Sequence, residues 1–445
     1  MFEGANNNNM EDNDPNFLVD ESSTTARIKI IGVGGGGGNA VNNMFRQNIE
    51  GVSYVVLNTD NQALKKSPVP KKLLIGPETT HGLGAGNKPE VARAAAEESS
   101  NEIAGLFDSQ TDMVFITAGM GGGTGTGAAP VVARIAKEKD VLTVGIVTIP
   151  FLFEGEKKIL KALQGAEEMK QYVDALMIIN NERLTEIYED FSFMNAMCKA
   201  DDTLTTAARS ISEMVTTTEG YINIDMNDVK TTLRDSGVAI ISTGYGEGDH
   251  RVTKAINDAL HSPLLKDRDV YRATRILLNL YFSREEKDNP LAISEMDEVR
   301  QFMANFDSSV VDVIWGAAYD DTLGAKVKVA ILAAGFETTI GEETISKPGG
   351  SGRKSPAEYT ETGKKVIEEA YGKDKVAETS QISTKNRYMV LKPEEMDDDN
   401  VIAAFGKPTF KRDPKVMHTS AMPDDEPKSQ ADEQGGKGSG VKIMF

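Results

Sequence analysis

The stretch "IKIIGVGGGGGNAV", residues 28–41, sets a short apolar run against five successive glycines and a helix-like continuation. A buried strand that hands over to a helix through glycines exposes backbone N–H groups at the positive end of the helix dipole, where an anion is held. Gly32, Gly34 and Gly37 satisfy G-x-G-x-x-G, and Asp60 follows a second apolar run, "YVVLNTD", at the interval of a ribose-binding acid. On these residues alone the stretch reads as the start of a nucleotide-binding unit, with a dinucleotide one candidate ligand.

Working outward, short apolar runs alternate with helical patterns from 27 to about 200. "NAVNNMFRQNI" places Val41, Met44, Phe45 and Ile49 on one helical face, and "MVFITAG", "LTVGIVTIPF" and "ALMIINN" are further strands. Strands apolar on both faces and separated by helices indicate a parallel sheet covered on both sides. Residues 201–220 read as a connecting helix, with Leu204, Ala208, Ile211 and Val215 along a stripe, stopping at Gly220. The block 221–337 mixes strands and helices as a second, α+β domain. The Asn-rich, acidic segment 1–26 reads as a disordered tail, and 338–400, rich in Gly, Ser, Thr and charge, as a flexible linker. A short apolar patch at 401–412 precedes a second polar tail, 413–445.

The 445 residues carry a net charge of −19, which opposes nucleic-acid binding because nothing would offset phosphate repulsion. Cys198, the only cysteine, excludes an intramolecular disulfide and suits a reducing cytoplasm. No apolar stretch approaches the roughly 20 residues that span a bilayer, so no direct membrane insertion is expected.

A second glycine run tests the dinucleotide reading. "FITAGMGGGTGTGAAPVVARIA", 115–136, again leads from strand to helix, with Gly121, Gly122, Gly123, Gly125 and Gly127 freeing the backbone and Thr124 and Thr126 adding hydroxyls. "GLGAGNKPEV", 82–91, supplies a third loop through Gly84, Ala85 and Gly86. A pyrophosphate needs one such loop, whereas tandem loops, with Gly34, Gly35, Gly36 and Gly37 in the first, suit a triphosphate. No Gly-Lys-Ser/Thr follows the first run, so the Walker loop is absent.

"GGGTGTGAAP" resembles the signature of the tubulin and FtsZ family, and "LNTDNQAL", "GLGAGNKPEVARAAA", "PFLFEGEKK" and "NIDMNDVKTTL" fall in that family's order and spacing over about 27–337. The resemblance implies a Rossmann-like parallel-sheet GTPase domain, a long connecting helix and a second α+β domain. It also implies GTP and GDP as ligands, Mg2+ on the phosphates, and head-to-tail filaments forming the ring at the bacterial division site. Asp202 at the start of the connecting helix would read guanine, whose N1–H and exocyclic amine one carboxylate accepts. Asn39 and Asn181 would be further base contacts, and Glu154 would face the ribose. Three residues depart from the family pattern: Met197 where a Phe stacks on the base, Asp201 where an Asn precedes the base-reading Asp, and Lys158 for an Arg near the phosphates. On residue type alone, Asp202 and Asn39 also fit helix-end positions.

Asp225 and Asp228, three apart at a predicted helix start, read on spacing alone as a cap and first-turn acid ahead of a catalytic pair on one face. The resemblance implies that they orient the attacking water on the nucleotide of the next subunit, with Asn223 approaching the phosphates. No protein metal ligand is assigned. "GKPTFKR", 406–412, is similar to the family's C-terminal peptide for membrane tethers and division regulators, with Phe410 as anchor beside Lys411 and Arg412. A nicotinamide oxidoreductase and a non-hydrolysing nucleotide-bound scaffold stand as alternatives. The first gives no role to 119–127, and the second none to Asp225 and Asp228.

Overall fold

The computed structural model describes residues 17–18, 27–183, 193–216, 220–261, 270–285, 290–306, 312–336, 356–373, 375–376, 388–389 and 443–444. Its strands are β1 (Phe17–Leu18), β2 (Ile28–Val33), β3 (Val52–Asn58), β4 (Lys71–Leu74), β5 (Met113–Gly119), β6 (Leu142–Ile149), β7 (Ala175–Asn180), β8 (Gly220–Ile222), β9 (Gly237–Gly246), β10 (Arg275–Phe282), β11 (Asp312–Tyr319), β12 (Val327–Phe336), β13 (Tyr388–Met389) and β14 (Ile443–Met444). Its helices are α1 (Gly34–Arg46), α2 (Asn61–Lys66), α3 (Pro77–Thr80), α4 (Pro89–Glu98), α5 (Ser100–Ala104), α6 (Thr124–Glu138), α7 (Glu156–Lys170), α8 (Phe193–Thr216), α9 (Met226–Leu233), α10 (Arg251–Leu260), α11 (Met296–Met303) and α12 (Pro356–Tyr371).

β2 is buried at every position, as expected of a parallel strand covered on both faces. Even Lys29 is inside, its ammonium donating to Leu106 O at 2.7 Å and pairing with Asp108 at 2.7 Å, so its charge is compensated rather than stranded. The sheet runs β1-β4-β3-β2-β5-β6-β7-β9-β12-β10-β11-β8. From β4 to β7 every pairing is parallel. The chain goes from β2 outward to β3 and β4, then returns to β5 on the other side of β2. This reversal opens a crevice at the carboxyl ends of β2 and β5, the place where open parallel sheets hold ligands.

β7 joins β9 through only two pairs, Ala175 with Gly237 and Leu176 with Val238. Beyond that junction the second half of the sheet is mixed, with β9, β10 and β12 buried against α10 and α11. α8 lies in the first core through Leu204, Ala207, Ala208, Ile211 and Met214.

Three boundaries differ from the sequence reading. The connecting helix begins at Phe193, not 201, because "FMNAMCKA" continues the same pattern without a breaking residue. Asp202 therefore lies in the third turn, which removes its helix-cap reading. The first glycine run is not a free loop: Gly34 to Gly38 form the opening of α1, directly after Val33. Within the stretch read as linker, α12 is helical and buries Val366, Ile367 and Tyr371. Its apolar residues crowd into its final turns, too short a stripe to register as periodicity. Each such burial contributes about 1.5–3 kcal/mol.

A second unit, from Gly372 onward, contains β13 paired antiparallel with β14. β1 and β14 fall inside segments read as tails, while the peptide 401–412 lies outside the described residues.

Candidate nucleotide site

Three loops converge on the crevice. A Cβ on Gly34 would lie 2.7 Å from Gly125 N, and one on Gly123 would lie 3.0 Å from Lys88 N and 3.1 Å from Ala85 Cβ. Gly34 and Gly121 hold φ of +74° and +98°, the left-handed region that glycine enters without a Cβ penalty. Gly37 is there for contact: a Cβ would meet Thr117 O at 2.2 Å, so its absence lets α1 sit directly on β5. By contrast Gly35 and Gly122 face open space, their backbones available to an anion. The third loop is fixed to the first half of the sheet by Gly84 N donating to Thr59 O at 3.0 Å.

Two hydroxyls behave differently from each other. Thr124 Oγ1 lies 2.8 Å from Thr59 Oγ1, a partner that sequence reading missed because the two are far apart in the chain. Thr126, expected to offer its hydroxyl to the ligand, is instead 4% exposed and accepts from Gly121 N at 2.9 Å. Its hydroxyl shapes the turn, since a buried Oγ must find a local partner. Asp60, read as the ribose-binding acid of a dinucleotide site, caps α2 by accepting from Gln62 N and Ala63 N.

On the other side of the crevice, Glu154 accepts from Phe151 N at 2.9 Å and pairs with Lys158 one turn on. Lys158 also packs against Gly121, whose Cβ would lie 2.9 Å from Lys158 Cγ, so it borders the second phosphate loop. Asn181 follows β7 and is 8% exposed, and its Oδ1 has no hydrogen-bond partner among the described residues. A buried amide oxygen left unpaired costs about 1–3 kcal/mol, which a ligand donor would recover.

Between α1 and α8 lies a cavity of about 180 Å³ lined by Asn39, Asn42, Asn43, Arg46 and Asp201. Asn39 is mid-turn in α1 rather than at its cap. Asn43 Nδ2 donates to Asp202 Oδ1 at 3.0 Å, and Gln47 Nε2 reaches the same oxygen at 3.4 Å. Neither Asn43 nor Gln47 was expected at the site, because nothing in their local pattern points across to α8. Met197 lies in α8, and its side chain is outside the described residues.

Burial, and after it the neighbouring Asp202 charge, push the Asp201 carboxyl up to about 6. A carboxyl raised above its unfolded value of 3.8 favours folding fully below about pH 4 and loses that contribution as pH rises through 6. Asp201→Asn is therefore expected to raise the melting temperature at pH 7.5 by about 2–4 °C, a screened cost of about 1 kcal/mol, and to change it little at pH 4. Thermal melts of both proteins across that range check the sign.

Asp225 and Asp228 are found elsewhere. Asp225 caps α9, its Oδ1 accepting from Asn227 N at 2.7 Å and Asp228 N at 2.9 Å, while Asp228 Oδ2 accepts from Asp225 N at 2.9 Å. This reciprocal box is the capping alternative of the sequence, realised. Asn223, exposed, lies between β8 and α9. α9 is tied to the amino end of β5, where Lys230 pairs with Asp112 at 2.9 Å. Hydrogen bonding from Arg27, and then from Lys230, holds the Asp112 carboxyl below its usual range. The phosphate loops leave the opposite end of β5, a strand of seven residues, or about 20 Å. One copy cannot bring its own acids to its own loops.

Two family models match the chain. Residues 27–189 match the tubulin/FtsZ family GTPase domain, and 237–337 match the FtsZ family C-terminal domain. The chain is 48% identical to a cell division protein FtsZ of Porphyromonas gingivalis over 91% of its own length and 89% of the relative's. The chain belongs to the FtsZ family. An FtsZ of Pseudomonas aeruginosa is 43% identical over 72% of this chain and 79% of its own. A solved FtsZ dimer from M. jannaschii superposes with a TM-score of 0.63 at 39% identity, covering 70% of this chain and 89% of that one. As an FtsZ-family GTPase, the chain binds guanine nucleotide, and the nicotinamide reading of 28–41 is set aside. Among the described residues no helix is long and apolar enough to cross a membrane.

Proposed function

We propose that this GTPase assembles head to tail into filaments that form the division ring at the bacterial septum, and that GTP is hydrolysed only where two copies meet. The observation that carries this reading is the separation of Asp225 and Asp228 from the phosphate loops by the full length of β5. Within one copy, Gly34–Gly37, Ala85 and Gly86, and Gly122, Gly123 and Gly125 line the phosphates with their backbones, with Thr124 beside them, while Gly84 N and Gly121 N are spent on Thr59 O and Thr126 Oγ1 and hold the loops' shape. Gly127 and Thr126 hold the second loop's shape. Asp202, Asn39 and Asn181 take the guanine edge, the last through its unpaired Oδ1. Glu154 takes the ribose, and Lys158 supplies charge near the phosphates. Met197 covers the base.

A second copy contributes Asn223, Asp225 and Asp228. The capping box pre-orients the two carboxylates, and only one oxygen of each is engaged in it. A water held by the outer oxygens attacks the γ-phosphorus, the bond to the β-phosphate oxygen breaks, and GDP and phosphate leave. Loss of the γ-phosphate removes a group that both copies contact, through Asn223 and the held water on one side and the phosphate loops on the other, and loosens the joint. Among the described residues no three His, Cys, Asp or Glu side chains gather into a metal site. Mg2+, when bound beside the phosphates, would supply positive charge to the leaving group. The peptide around Phe410, Lys411 and Arg412 docks the filament to membrane tethers and regulators, keeping a cytoplasmic protein at midcell.

Light scattering and phosphate release, followed together over protein concentration, test the proposal. GTP and a slowly hydrolysed GTP analogue are expected to drive assembly, and GDP and ATP not. Turnover per molecule is expected to appear above a threshold concentration. Turnover independent of concentration would overturn hydrolysis in trans.

A further inference from the structure

The carboxyl-terminal half of α12 is fastened to the two strand ends that lead into the base and ribose side of the crevice. Gly363 lies over Leu160 of α7, where a Cβ would come within 3.1 Å of Leu160 Cδ1, and Val366, Ile367 and Tyr371 are buried. Tyr371, 1% exposed, donates its hydroxyl to Pro150 O at 2.6 Å, just past β6. Asn180, the last residue of β7, donates Nδ2 to Ala370 O at 3.1 Å.

These two bonds close a ring. Asn180 Oδ1 accepts from Glu182 N at 3.0 Å, and the Glu182 carboxylate accepts from Leu152 N at 2.9 Å. α12 thus ties the 150–154 turn, which carries Glu154, to the 180–182 segment, which carries Asn181. The tie is polar, with the Tyr371–Pro150 bond buried and the other three half-buried, so breaking the first leaves a buried group unpaired.

We infer that Tyr371 and the end of α12 are positioning elements for the nucleotide: docking of this helix holds Glu154 and Asn181 in place and slows nucleotide release. The coupling is reciprocal, so bound nucleotide stabilises the docked helix. This rests on the reading of Glu154 and Asn181 as ribose and base contacts. It turns part of a segment read as a spacer into a component of the GTPase half, able to report nucleotide state to the chain that follows.

The test uses the full chain with a fluorescent GDP. Tyr371→Phe keeps the ring and removes the donor, and is expected to speed GDP release about 2- to 10-fold. Ile367→Asp expels the helix and should speed release at least as much, while Ile367→Val restores the native rate. Hydrogen exchange is read in parallel at 150–156 and 356–371. GDP is expected to protect both segments in the wild type, and Ile367→Asp to deprotect 356–371. Unchanged release in Ile367→Asp with 356–371 deprotected would overturn the inference, as would free-peptide exchange of 356–371 in the GDP-bound wild type. Protection of 356–371 without any GDP-dependent protection of 150–156 would instead overturn the site reading beneath it.

Discussion

Alanine in place of Asp225 or Asp228 is expected to lower GTP turnover by about 10²–10⁴-fold, the range of a positioned acid–base group, with GDP binding to the isolated chain unchanged. Alanine also deletes a cap, which costs about 0.5–2 kcal/mol by itself, so a second substitution separates the two effects. Asn caps a helix about as well as Asp but carries no charge. Asp225→Asn should keep the melting temperature and still lose turnover. Wild-type turnover in Asp225→Asn would reduce this residue to the cap seen in the structure. A mixture offers a complementary check. A copy defective in nucleotide binding but with intact acids should restore turnover to Asp225→Ala copies that hold GTP.

The second large effect concerns the base. Asp202→Ala is expected to weaken GTP binding by roughly 10²–10⁴-fold, because two hydrogen bonds to a charged acceptor are lost at about 1.5–3 kcal/mol each. ATP binding should hardly move, since adenine presents an acceptor at N1 and never satisfied that carboxylate. Selectivity between the two nucleotides, measured by equilibrium titration, is therefore the decisive quantity. Asp202 also holds Asn43 at 3.0 Å, so a structural contribution exists. It would lower both affinities alike, and equal losses for GTP and ATP would assign Asp202 to packing alone.

Much of this was legible from local chemistry. The strand-to-helix transitions at 28–41 and 115–136 depend on neighbouring residues, and both appear where read, although the first glycines already belong to α1. The block read as a second α+β domain holds β9, β10, β11 and β12 with helices among them. What escaped depends on residues distant in the chain. The Thr59–Thr124 and Asn43–Asp202 contacts join separate elements, and no spacing rule connects them. Thr126 looked like its neighbour Thr124, and only the direction of its helix turn sends one hydroxyl inward. α12 escaped because its stability comes from the surface of α7 rather than from its own pattern.

The opposite placement of the phosphate loops and the capped acids on β5 has a numerical consequence. In the proposed head-to-tail row two different surfaces would meet at each joint, so growth would not close on itself unless the row bent into a circle. An open row of n copies would then contain n − 1 finished centres. The terminal copy whose loops face water would lack its partner's acids and keep its triphosphate longest, giving the row a polarity written in nucleotide. Short rows would be the slowest burners per molecule, and lengthening alone would raise the rate toward its ceiling.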